Sequence, residues 1–284
     1  MCSVDSIPPI SVVVPSFNQG QFIGATIDSI LAQGIDGIEI LVMDGGSKDE
    51  TVEVLQRYGD TIQWVSEKDR GQSHAINKGF TRASSDILGY INSDDTYQPG
   101  ALAAVLEAFR QHPETDFIYG DSNFIDIAGS ILASCRTINF DYNILRYDYN
   151  FICQPASFWR HSVIERIGPI AEDLYYLMDY EFYLRAAKAG MRFYHLRQNL
   201  ANLRLHKDCK TVSGNFEARR KYLAQRSAIL ALYSFQINPP AVDRALHLAM
   251  KCALRVKGTW RYWIENGEFK LSSYRKLIAR VQAQ

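Results

Sequence analysis

Residues 10–47 read ISVVVPSFNQGQFIGATIDSILAQGIDGIEILVMDGGS, and their pattern decides the fold. Ile10–Pro15 is a short apolar run rich in β-branched residues, and Ile38–Asp44 is a second. Between them Phe22–Ala32 carries apolar residues at helical spacing. Strand, helix, strand within so short a span predicts a βαβ unit with parallel strands. The alternation continues outward. Asp49–Tyr58, Ser73–Ala83 and Gly100–Gln111 have helical spacing, while Ile62–Ser66, Asp86–Ile91 and Asp116–Tyr119 read as strands. Ile125–Ala133 places apolar residues on both sides of a glycine, which predicts a hairpin. Farther on, Met178–Ala189 reads as a helix closed by Gly190, Phe193–His206 as extended chain, and 216–235, 241–256 and 270–281 as helices. The expected class is α/β: a mostly parallel sheet flanked by helices, with a C-terminal helical extension.

Composition narrows the function classes. The chain has 284 residues, 31 Lys+Arg and 31 Asp+Glu. Residues 216–284 hold 13 Lys+Arg against 4 Asp+Glu, which leaves 18 against 27 for residues 1–215. An acidic N-terminal part, 1–215, is therefore expected to carry a basic extension, 216–284. A neutral chain gives nucleic-acid binding little support. Five cysteines, at 2, 135, 153, 209 and 252, form no CxxC pair, so structural zinc and a disulfide framework are not expected. No apolar run is long enough to span a bilayer, and MCSVDSIPPI lacks the pattern of a signal peptide. A cytoplasmic location is the expectation.

In a parallel sheet, ligands bind outside the carboxyl ends of the strands. Four such ends are polar: Pro15-Ser16-Phe17-Asn18, Asp44-Gly45-Gly46-Ser47, Glu67-Lys68-Asp69-Arg70-Gly71 and Asn92-Ser93-Asp94-Asp95. Ser47 and Glu50 fit a capping box at the start of the next helix. Asp44 fits either an Asx-turn or an acceptor for the edge of a uracil-like base. Neither a G-x-x-x-x-G-K-[ST] loop nor a G-x-G-x-x-G follows the first strand, so a bound phosphate needs another source of positive charge. A divalent cation on oxygen ligands would supply it. One carboxylate of Asp94-Asp95 would then hold Mg²⁺ or Mn²⁺ at a diphosphate, while the other accepts a bond from a ribose hydroxyl. The bland alternative for the pair is a solvated turn.

Four blocks carry a resemblance: PSFNQGQFIGATIDSILAQ (15–33), EILVMDGGSKDET (39–51), SEKDRGQSHAINKGF (66–80) and GYINSDDTYQPGAL (89–102). In this order they resemble consecutive blocks of family 2 glycosyltransferases of the GT-A fold. QPASFWRHSVIERIGPI (154–170), MDYEFYLRAAKAG (178–190) and LRLHKDCKT (203–211) extend the similarity. The resemblance implies an inverting transferase that uses a nucleotide-diphosphate sugar and Mg²⁺ or Mn²⁺. It implies that Pro15, Phe17, Asn18, Asp44, Asp69 and Asn77 surround base and ribose, and that Asp94 contacts ribose or sugar. It implies Asp95 and His206 as metal ligands and Asp179 as general base. Glu181 is a second candidate base at the acceptor side, where Gln154 and Trp159 would line the sugar pocket, although Trp159 could equally belong to the core. Lys207 and Lys210 could neutralise phosphate charge, or simply be solvated. The implied acceptor is a glycan or a lipid-linked glycan, as in bacterial surface polysaccharide synthesis. Trp260, Tyr262 and Trp263 among basic residues would suit a peripheral membrane contact, or the extension is simply a helical cap. Two rival readings are a sugar nucleotidyltransferase and a non-catalytic sugar-binding module.

Overall fold

The computed structural model describes residues 9–210 and 216–233, with scattered residues between 252 and 265. The chain opens with β1 (Ser11–Ser16), α1 (Gly20–Leu31), β2 (Glu39–Asp44), α2 (Thr51–Gln56), β3 (Gln63–Ser66), α3 (Gln72–Arg82) and β4 (Ile87–Tyr90). β5 (Thr96–Tyr97), α4 (Ala101–Gln111), β6 (Phe117–Ile125), β7 (Ile131–Cys135) and α5 (Tyr142–Tyr147) follow. β8 (Ser157–Arg160), α6 (His161–Ile167), α7 (Met178–Lys188), β9 (Phe193–Arg204) and α8 (Phe216–Tyr233) complete the described elements. The predicted helices 241–256 and 270–281 lie, apart from a few residues from Cys252 on, outside the described residues.

One nine-stranded sheet runs β3-β2-β1-β4-β8-β6-β9-β5, and β7 pairs with β6. β3, β2, β1 and β4 are parallel neighbours. Beyond them the sheet is mixed: β8 is antiparallel to β4 and β6, whereas β6 and β9 are parallel. The predicted hairpin is the β6–β7 turn, with Gly129 at φ 89°.

Period-two alternation separates the two cores. Val12, Val14, Ile40 and Val42 face α1 and α4, packing with Ile23, Ile27, Leu102 and Val105. Val13, Leu41 and Met43 face the other way, onto Ala75, Ile76 and Phe80 of α3. A sheet covered on both faces explains why its strands are apolar throughout. α3 approaches β1 closely at Gly79, where a Cβ would lie 2.3 Å from Val13 Cγ1. α8 joins the second core through Ile229 and Tyr233. With both faces closed, the carboxyl rim of the parallel strands is left as the open polar surface.

Candidate active site

The first part of the rim is built where β1, β2 and β3 end. Asp44 is buried, and its carboxylate is engaged by its own loop and by the end of β3. It accepts from the backbone of Gly46 (3.1 Å) and Ser47 (2.9 Å), from Ser66 Oγ (2.6 Å) and from the Ser47 hydroxyl. The Asx-turn reading is therefore the one the geometry favours. Ser47 belongs to this loop and not to a capping box: α2 starts at Thr51 without a side-chain cap from Glu50. The turn matters to its neighbour Asn18, which sits at φ 52°, a left-handed conformation uncommon outside glycine. Asn18 holds it by donating from its backbone to Ser47 Oγ (2.7 Å) and accepting Lys48 N–H at Oδ1 (2.8 Å).

Over this turn Phe17 and Asp69 converge. A Cβ on Gly45 would lie 2.7 Å from Asp69 Oδ2 and 3.3 Å from Phe17 Cδ2, so only glycine leaves both in place. Asp69 Oδ1 accepts from Gly71 N (2.7 Å), while Oδ2 has no hydrogen bond among the described residues. The Phe17 ring is 59% exposed. An open ring beside an open carboxylate oxygen suits a planar, hydrogen-bonding ligand. Pro15 lies behind it, buried in β1 past the last residue paired with β4, where its missing N–H leaves no ladder bond unmade.

The second part joins β4 to the end of β9. Asp94 Oδ2 and His206 Nε2 are 3.0 Å apart, with side-chain exposures of 15% and 5%. His206 packs against the Phe22 ring at 4.9 Å. Asp95 points elsewhere. It is buried, accepts from Arg204 N at 2.8 Å and from Asn92 Nδ2 at 3.3 Å, and its pKa is pushed well up by burial and by Asp94. Of the two carboxylates it is Asp94, not Asp95, that faces His206. Arg204 fixes the arrangement by donating to the carbonyls of Asp94 (2.8 Å), Asp126 (3.0 Å) and Ile127 (2.8 Å). Sequence reading passed over Arg204, although a basic residue two before a candidate ligand His was there to be noticed.

The third part is the N-terminus of α7. Asp179 lies in its first turn, not at the cap position, which Leu177 occupies. Burial of its carboxylate raises its pKa to about 6, against the opposing pull of the backbone N–H groups of the helix's first turn. Lys210 adds positive charge nearby. A carboxylate poised this close to neutrality can accept a proton.

Four other expected site residues sit elsewhere. Trp159 is fully buried in the β4–β8–β6 core against Phe80, Tyr90, Phe117 and Phe182, so it lines no sugar pocket. Asn77 pins the loop after α6, bonding both the carbonyl (2.9 Å) and the N–H (3.0 Å) of Ile170. Glu181 is held by Arg185 (2.9 Å) and by the Tyr233 hydroxyl (2.7 Å) of α8, which leaves Asp179 as the candidate base. Gln154 is nearly buried and donates to Tyr90 O at 2.7 Å. Among the described residues no three His, Cys, Asp or Glu side chains converge as a metal cage.

The sequence model described as Glycosyl transferase family 2 matches residues 11–167. A PGL/p-HBAD biosynthesis glycosyltransferase of Mycobacterium bovis (strain BCG / Pasteur 1173P2) is 29% identical over 189 residues, covering 63% of this chain and 69% of that protein. Chondroitin synthase of Escherichia coli is 24% identical over 203 residues, 70% of this chain but 29% of its own length. Among solved structures, S. aureus TarS 1-349 in complex with UDP-GlcNAc superposes with a TM-score of 0.65 at 14% identity, covering 96% of this chain and 79% of that one. The mannosyltransferase PcManGT from Pyrobaculum calidifontis, in complex with GDP-Man and Mn²⁺, gives 0.61 at 18%, covering 98% and 85%. At these identities the two structures establish the shared fold.

Proposed function

From the premise that this chain belongs to glycosyl transferase family 2, we propose that it is an inverting transferase. It would move a sugar from a nucleotide-diphosphate donor to a hydroxyl of a glycan or lipid-linked acceptor. The observation that carries the reading is the meeting, on one rim, of the Asp94–His206 pair with an Asp179 carboxylate whose pKa lies near 6. Phe17, Asn18 and Asp69 would bind base and ribose, with Asp44 and Gly45 shaping the floor beneath them.

Asp179 would take the proton of the acceptor hydroxyl as its oxygen bonds to the anomeric carbon from the side opposite the diphosphate. The bond from that carbon to the diphosphate oxygen breaks, and the electron pair leaves with the oxygen. Base catalysis of this kind is worth roughly 10²–10⁴-fold. Asp94 and His206 fit Mg²⁺ or Mn²⁺: one carboxylate oxygen and one imidazole nitrogen, already within 3.0 Å, suit an ion that takes its other ligands from phosphate and water. Bound there, the ion supplies charge neutralisation for the diphosphate.

The acceptor class is supported by the mycobacterial and Escherichia coli relatives, whose names concern PGL/p-HBAD biosynthesis and chondroitin. A peripheral membrane contact is supported by exposed Phe216, Leu223 and Leu232 on a basic α8, with Trp260 beyond it. No helix among the described residues is long and apolar enough to cross a membrane. Release of free nucleoside diphosphate from a panel of UDP-, GDP- and dTDP-sugars, with Mn²⁺ and a glycan acceptor, tests the activity. A protein that binds these sugars but releases diphosphate with none of them is a binding module. Release of pyrophosphate from a nucleoside triphosphate and a sugar phosphate would make it a nucleotidyltransferase.

A further inference from the structure

Away from the transfer rim, residues of β6, β7 and β9 line a second cleft of about 310 Å³, with Glu265 of the C-terminal extension on one side. That volume is at the lower end of the range for small-ligand sites. None of its residues takes part in the site described above.

The cleft is built by an irregularity in β9. Tyr119 and Gly120 pair with His195 and Leu196, but Asp121 pairs with Asn199, so Arg197 and Gln198 are skipped by the register. A bulge of this kind re-aims side chains and is over-represented beside functional sites. Gly120 makes room for it, because a Cβ there would lie 2.7 Å from Gln198 O and 2.6 Å from Leu200 Cδ1. The floor is held firmly. The His195 ring lies flat on Tyr119, with centroids 5.2 Å apart and planes 8° apart. Its nitrogens are 3.3 Å from Asp121 Oδ1 and 3.3 Å from Asn139 Oδ1, and Asp121 Oδ1 also accepts from Thr137 N at 2.9 Å.

The lining selects the ligand. Two carboxylates, Asp121 and Glu265, are balanced by two guanidinium groups, Arg136 and Arg197. Glu265 accepts from Asn139 N at 2.7 Å and lies 3.8 Å from Arg197. A phosphate would meet the acids, and an apolar ligand would strand the polar groups. A neutral ligand rich in hydroxyls suits the cleft, since each hydroxyl both donates and accepts. Groups to meet it are open: Asp121 Oδ2 and the Gln198 amide make no hydrogen bond among the described residues. Asn199 donates to Asn123 Oδ1 at 3.1 Å and keeps its own Oδ1 and second N–H.

We propose that this cleft is a saccharide-binding site separate from the transfer site. There it holds a stretch of the glycan acceptor behind the sugar being extended, a role that rests on the transferase reading. Its position supports the link. Asp121 stands four residues before Ile125 on β6, about 13 Å along the strand. Ile125 is in register with Arg204, which bonds the Asp94 carbonyl at the rim. A glycan that runs back along β6 and β9 reaches both places.

Calorimetry of the full chain with linear neutral tetrasaccharides of glucose, galactose, mannose and N-acetylglucosamine tests the site. Inorganic sulfate is the anion control, and UDP and GDP in Mn²⁺ are titrated separately. Wild type should bind at least one tetrasaccharide with no nucleotide present. Gln198→Ala with Asn199→Ala should weaken that binding at least tenfold, as hydrogen bonds from two side chains are lost. Nucleotide binding and the circular dichroism spectrum should stay unchanged. Gln198 is exposed, so Gln198→Ala alone gives the comparison, with a smaller loss, should the double variant not fold. Wild type that binds none of the tetrasaccharides, undiminished binding in the variants, or sulfate bound in their place overturns the site and leaves the transferase reading intact. A protein that binds saccharide through these residues but neither UDP nor GDP keeps the site and overturns the transferase reading.

Discussion

At Asp94 and Asp95 neighbouring carboxylates experience different surroundings. Asp94 keeps an oxygen beside His206, whereas both Asp95 oxygens are taken by Arg204 N and Asn92. Asp94→Asn is therefore expected to weaken Mn²⁺-dependent nucleotide binding by more than tenfold. Asp95→Asn should leave it within about threefold and cost about 1 kcal/mol of stability, since the amide keeps one of two hydrogen bonds. Equal losses of metal-dependent binding in calorimetric titrations would refute this division. Asp179 gives a second pair of outcomes with opposite signs. Its pKa of about 6 stands above the ordinary 3.8, so the folded protein holds the proton more tightly than the unfolded chain. The stabilising contribution of that proton is full below pH 3.8 and is lost as pH rises through about 6. Activity runs the other way, because the base must be ionised, and kcat should rise through pH 6. Asp179→Asn should lower turnover by about 10²–10⁴-fold. It should also raise the melting temperature at pH 7.5, by an amount worth at most about 3 kcal/mol. A variant that is less stable and still turns over normally would remove Asp179 from the mechanism.

Elements position these residues, and their legibility in the sequence depended on how local their cause is. β1, α1, β2, α3 and β4 are each written in a continuous apolar rhythm, so their places were readable to within a residue or two. β8 was not, because SFWR is four residues long and owes its strand to β4 and β6 on either side. The same non-local cause hid the burial of Trp159 and the turning away of Asp95, which depends on Arg204 more than a hundred residues along the chain. Asp44 was ambiguous for a related reason: an acid before two glycines looks alike whether it bonds a ligand or its own loop. The contact of α3 with β1 shows how tightly elements constrain one another. Gly79→Ala would place a methyl 2.3 Å from Val13 Cγ1, in a sheet with no slack behind it. Separation of the helix from β1 is expected to cost about 1–3 kcal/mol, read as a lower denaturant midpoint with an unchanged slope. The slope should hold because the native packing changes without altering the surface exposed on unfolding.

Across the whole sequence, charge is divided between an acidic N-terminal part and a basic end, and the described contacts use some of that division internally. Lys257 reaches Asp141 at 2.7 Å, Arg255 lies 3.6 Å from Asp148, and Arg226 donates to the Asp148 carbonyl at 3.1 Å. Tyr233 of α8 bonds Glu181 on α7, the helix that carries Asp179, so α8 braces that helix as well as contacting α5. These contacts favour a cap, yet α8 carries Arg219, Arg220 and Lys221 beyond the cations that they use. The apolar residues they leave outside are large: Phe216 is 86% exposed, Leu232 71% and Trp260 55%. Apolar side chains among cations suit an anionic bilayer surface, where each basic residue near the plane adds about 1 kcal/mol at low salt. Co-sedimentation with vesicles containing phosphatidylglycerol should therefore occur at low ionic strength and fall sharply at high salt, as screening shortens the reach of the charges. Phe216→Glu with Leu232→Glu should weaken it further without disturbing Tyr233 or its bond to Glu181, so nucleotide binding in solution should be unchanged. Absence of sedimentation by the wild type at low salt would reduce the extension to a cap, with its role confined to holding α7 and Asp179 in place.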